Sequence, residues 1–84
     1  MYWDVVEVKP LEGLALFVRF EDRISGEVRF NPQHLTGVFA PLKDPAYFGQ
    51  VFVDHGAVAW PGNVDLAPDA MYEAIKANGV WNLT

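Results

Sequence analysis

Ser25, Thr36 and Thr84 are the only aliphatic hydroxyls in the chain, His34 and His55 the only imidazoles, and cysteine is absent. A nucleophilic centre needs a hydroxyl or thiol, a base and an orienting acid converging in space. Ser25 falls in the middle of an alternating segment remote from both histidines, so no such centre is expected. The one run with metal-ligand or acid/base character is Asp54 and His55, followed by Asp65 and Asp69. Each has a stronger structural explanation. Asp54-His55-Gly56 is turn chemistry, Asp65 precedes a helix it can cap, and Asp69 is an anion in a helix N-terminal turn. A small metal- or acid/base-dependent enzyme centred on Asp54, His55, Asp65 and Asp69 is therefore the alternative function, and no metal or cofactor is expected. None of the seven glycines is spaced as G-x-G-x-x-G or a P-loop, so nucleotide chemistry has no support either.

Composition narrows the partners. Six Lys and Arg against eleven Asp and Glu give a net charge of −5, with no basic stripe to displace counterions from phosphates, so direct nucleic-acid binding is not expected. The longest apolar run, Leu14 to Val18, is far too short for a membrane span. Met1 to Asp4 has neither a basic nor an apolar leader region, which makes a cytoplasmic location the expectation. The 84 residues are 51% hydrophobic and 20% charged, a composition that folds as a single domain over 1–84. With no disulfide available, that domain relies on packing, and 14% of its residues are aromatic.

The elements follow from periodicity. Trp3 to Lys9 reads as a strand whose parity switches between Val5 and Val6, the mark of a bulge or of a strand covered on both faces. A turn is expected over residues 10–13. Leu14 to Phe20 and Arg23 to Phe30 alternate cleanly and make an antiparallel hairpin with one wet face. Asn31-Pro32 and Asp44-Pro45 each pair a cap with proline in the first turn of a helix, so residues 31–50 are expected to form short helical turns that press aromatics onto the sheet. Val51 to Val53 and Ala57 to Trp60 form a second hairpin. Pro68 to Asn78 is the clearest helix, opened by proline and stopped by Gly79, with Met71, Tyr72 and Ile75 on one apolar stripe. The expected class is α+β: a small antiparallel sheet of about five strands, short helical turns, and one C-terminal helix packed on the sheet.

Three blocks, WDVVEVKPLEGLALFVRFEDRISGEVRF, GVFAPLKDPAYFGQVFVD and VAWPGNVDLAPDAMYE, closely resemble a bacterial family known as domain-of-unknown-function family 2442. The resemblance runs from Trp3 to about Glu73. It implies a small α+β fold with no established activity or cofactor. It also implies two settings: ahead of a DNA-binding helix-turn-helix domain, or alone, encoded beside another small protein in a toxin-antitoxin-like arrangement. The chain stops soon after its helix, so the second setting is expected. Its Trp60-Pro61-Gly62-Asn63-Val64-Asp65 departs from the family's usual W-P-N-G-x-D.

These observations together point to a non-enzymatic interaction module that binds another small protein or a second copy of itself. The expected binding residues are Trp60, Asn63, Asp65 and Tyr72, around the loop before the helix, because loops carry function more often than cores do. Tyr2 and Trp81, nearest the termini, are the aromatics most available for a surface patch.

Overall fold

The computed structural model describes residues 1–83. Seven strands form, β1 (Val5–Leu11), β2 (Ala15–Phe20), β3 (Ser25–Phe30), β4 (Phe52–Asp54), β5 (Ala57–Trp60), β6 (Val64–Asp65) and β7 (Val80–Leu83). The helices are α1 (Pro45–Phe48) and α2 (Pro68–Asn78), with 3₁₀ turns at Pro32–His34 and Gly37–Lys43. The α+β class stands, as do the helical turns of residues 31–50 and the bounds of α2. The strands, however, divide between a four-stranded sheet in the order β1-β2-β3-β7 and a three-stranded sheet in the order β4-β5-β6. Between the sheets, the Val5 amide donates to the Gly56 carbonyl at 2.8 Å. No helix among the described residues is long and apolar enough to cross a membrane.

The parity switch in β1 is a register shift between Val5 and Glu7, a bulge in the pairing with β2. Strand β1 then continues through Pro10, which lies opposite Leu16, so the turn expected over residues 10–13 begins later, after Leu11. An outer strand tolerates proline because the missing amide costs the ladder nothing on its open side. The turn itself takes positive φ at Gly13 (75°) and Leu14 (57°). Two of the three expected caps form: Asn31 Oδ1 accepts from the Gln33 amide and Asp44 Oδ1 from the Ala46 amide, each at 3.0 Å. Asp65 does not cap α2, because it is held in β6 and the N-cap position falls to Ala67, which has no capping side chain.

Gly79 ends α2 in the left-handed region at φ 77° and lets the chain double back. The next four residues form β7, which pairs with β3 in parallel, Val28 opposite Trp81 and Phe30 opposite Leu83. Helix α2 thereby lies across the inner face of the larger sheet, where the bare backbone of Gly26 admits it. A Cβ on Gly26 would sit 2.4 Å from the Gly79 carbonyl oxygen and 2.6 Å from Ile75 Cγ2.

The core fills the space between the sheets. Leu16, Val18, Phe20, Val28 and Phe30 come from the larger sheet, Val58, Trp60 and Val64 from the smaller, and Met71, Tyr72 and Ile75 from α2. Leu35, Leu42 and Phe48 close it from the helical turns. No polar or charged residue is buried among the described ones. Full burial of an aliphatic or aromatic side chain stabilises by about 1.5–3 kcal/mol, so this set is the main source of stability in a chain without cysteine. Gly26→Ala is expected to cost about 1–3 kcal/mol by forcing the helix off the sheet. The measurement is the urea unfolding midpoint; a variant as stable as the parent would contradict the close approach.

Candidate functional site

Strand alternation determines what the smaller sheet shows to solvent. Phe52, Ala59 and Asp65 lie opposite one another across β4, β5 and β6 and share the outer face. Val58, Trp60 and Val64 take the inner one and are buried. Ala59 is small and itself buried, so the row between the 42%-exposed Phe52 ring and the exposed Asp65 carboxylate dips into a trough of about 210 Å³. Asp54, two residues along β4 from Phe52, and Asn63 in the turn between β5 and β6 complete its rim. Asp65 has no ion-pair partner among the described residues, and Asp54 has only His55, with Nδ1 2.8 Å from Oδ1.

Three of the four expected binding residues meet here. Asn63 and Asp65 face the trough. Trp60 belongs to its wall through the chain it sits on, but its side chain is 1% exposed and turned inward. Its Nε1 donates to the Phe48 carbonyl at 2.9 Å, and its ring stacks on Phe48 with centroids 5.8 Å apart. Trp60 supports the trough from behind. The turn beside it has φ 92° at Gly62 and 66° at Asn63, both left-handed. Asn and Gly are the residues that tolerate this region, so either order of the pair satisfies the same turn. The Tyr47 hydroxyl donates to the Pro61 carbonyl and pins that turn to α1.

Tyr72 lies elsewhere. It lines a second groove of about 320 Å³ with Tyr2, Trp3, Asp69, Ala70 and Glu73. Its ring packs edge-on against Phe20 and Tyr2, at 5.1 Å in both cases, and Lys76 Nζ stands 5.8 Å from the ring centroid. The Tyr72 hydroxyl donates to Asp22 Oδ2 at 2.5 Å, tying α2 to the turn between β2 and β3. That hydrogen bond, followed by burial, pushes the phenol up to about 12. It also holds the Asp22 carboxyl below its ordinary range, with a backbone bond from Ile24 adding to the effect.

The four residues of the alternative enzyme centre do not form one cluster. Asp54 and Asp65 both rim the trough, His55 meets Asp54 at the β4–β5 tip with its side chain 96% exposed, and Asp69 is in the second groove. Among the described residues no group of three or more histidines and carboxylates is placed to hold a metal ion. Sequence reasoning missed Phe52 and Asp22. Three residues of alternation, Phe52-Val53-Asp54, hold the only signal for Phe52 facing out, and nothing local to Asp22 marks a partner fifty residues away.

A family model described as Protein of unknown function (DUF2442) matches residues 5–77 of the chain. No curated protein and no solved structure matches it.

The Tyr72–Asp22 bond has opposite consequences at the two ends of the pH scale. Asp22 titrates below its unfolded value of about 3.9, so its contribution is present above that pH and lost as pH falls below it. Tyr72 titrates above its unfolded value of about 10, so its contribution is intact below pH ~10 and lost as pH rises towards about 12. Asp22→Asn is expected to bring the late-titrating phenol back towards ~10, read by ultraviolet absorbance. A titration identical to the parent's would contradict the bond.

Proposed function

Because the chain belongs to the DUF2442 family of proteins of unknown function, we propose a role that requires no chemistry of its own. The protein is a non-enzymatic interaction module, the antitoxin-like partner of a small protein encoded beside it. The observation that carries this reading is the trough on the smaller sheet, where an exposed aromatic ring shares the rim with two carboxylates lacking a strong cationic partner. Its chemistry suits a partner segment in which a Lys or Arg side chain is flanked by apolar residues. Aromatic anchors and charge complementarity are the features that recur at specific interfaces. The net charge of −5 favours encounter with a basic partner in the same direction.

The adjacent setting comes from the family resemblance, and the trough supplies a surface for it. The full exposure of His55 and the placement of Asp69 in the other groove, away from Asp54 and Asp65, support the non-enzymatic reading over the alternative. The test is co-purification with the product of the adjacent gene, followed by calorimetric titration at low and high salt. A 1:1 complex that weakens with salt is expected. The double substitution Asp54→Asn, Asp65→Asn is expected to raise Kd by at least about tenfold while leaving the melting temperature within a few degrees. No complex, or one indifferent to this substitution and to Phe52→Ala, would overturn the reading.

A further inference from the structure

The two edges of the larger sheet are built differently. Along β1, the edge carries Lys9, Pro10 and the bulge at Val5–Glu7, and the Val5 amide is already taken by Gly56. A charge, a proline and a bulge are the standard means by which natural sheets discourage another strand from adding. Along β7 the residues are Val80, Trp81, Asn82 and Leu83, with no charge, no proline and no bulge. Among the described residues, no strand pairs with the outer side of β7 and none of these edge guards is present on it.

Its hydrogen-bonding groups can be assigned. The Glu27 amide donates to the Gly79 carbonyl and the Asn31 amide to the Leu83 carbonyl. In a parallel pair, alternate residues of one strand turn both backbone groups to the other. Trp81 and Leu83 therefore face β3, and Val80 and Asn82 direct their N–H and C=O groups outward. Neither of these two residues makes a backbone hydrogen bond to any described residue outside that ladder. Four strand-edge groups, two donors and two acceptors, stand in a row.

We propose that this edge pairs with the same edge of a second copy of the chain. An antiparallel approach about a two-fold axis at Trp81 sets Val80 opposite the second copy's Asn82, and Asn82 opposite its Val80. Each such pair exchanges two N–H···O=C bonds, so all four outward groups of both copies are satisfied at once. The register is self-complementary, with Trp81 against Trp81 at the axis. The uncharged edge lets two chains of net charge −5 meet there without opposed like charges in the pairing strands. The result is a continuous eight-stranded sheet across the dimer. This pairing leaves the trough on the smaller sheet free and does not depend on its role.

Contact through one short strand gives weak, concentration-dependent association, because it buries less surface than a standard stable interface. Sedimentation of the full chain from ~10 µM to ~1 mM is expected to show the 9.4 kDa species giving way to a dimer of twice that mass. Amide hydrogen exchange identifies the edge. At high concentration the Val80 and Asn82 amides slow by at least about tenfold, while those of Trp81 and Leu83 are protected throughout. Asn82→Pro removes one outward amide without touching the β3 ladder, and Val80→Lys installs an edge charge; each is expected to abolish the dimer. Circular dichroism checks that both fold. A chain that stays monomeric over the whole range would overturn the proposal, as would a dimer in which the Val80 and Asn82 amides exchange as fast as in the dilute protein.

Discussion

Trp60 joins the two halves of the molecule. Its indole N–H reaches the Phe48 carbonyl on α1, its ring stacks on Phe48, and Phe30 of the larger sheet meets it edge-on with centroids 6.1 Å apart. Phe30 and Phe48 close the triangle at 5.4 Å. Aromatic contacts of this geometry contribute about 0.5–1.5 kcal/mol each beyond the area they bury. In a chain with no cysteine, and with sheets tied directly by little backbone hydrogen bonding, that cluster is what makes two small sheets one core. The three-stranded sheet, with strands of three, four and two residues, gains its stability by laying its apolar face on that cluster.

The outer surface follows from the same constraint. Turning Trp60 inward turns Ala59 outward, and Ala59 is the low point between Phe52 and Asp65. The trough is thus a by-product of the core residue behind it, held in shape by the Tyr47 latch on Pro61 and the left-handed pair Gly62 and Asn63. Helix α2 has a comparable double role. Its seat on Gly26 and its bond from Tyr72 to Asp22 fix it against the larger sheet, and its glycine stop delivers the chain to β7. One surface offers side-chain chemistry to a partner, the other offers bare backbone.

Much of the architecture was legible because it rests on local signals. Pro68 and Gly79 mark α2 at both ends, Asn31 and Asp44 announce their caps, and the parity switch in Trp3 to Lys9 foretells the bulge. The strands β6 and β7 were not legible, since two and four residues are too few for a period to declare itself, and β7 depends on a partner distant in the chain. The division into two sheets is likewise a long-range outcome. For the site, turn residues mark the loop before α2, which holds Asn63, whereas Asp65 lies on β6 and caps no helix. Proximity to that loop puts Trp60 in the same set, and it does not distinguish a ring facing a ligand from one facing the core. Tyr72 was grouped with the loop by nearness in sequence, but its helical stripe carries it to the other groove.

The Trp60 cluster makes the two sheets a single cooperative unit. Hydrogen exchange of Trp60→Phe, resolved amide by amide, tests it most directly. The substitution keeps an aromatic ring but leaves the Phe48 carbonyl without its donor, a loss of about 1–3 kcal/mol. Protected amides of β2, β3 and β5 are expected to accelerate by a common factor. Acceleration confined to β4, β5 and β6, with the larger sheet unchanged, would contradict it.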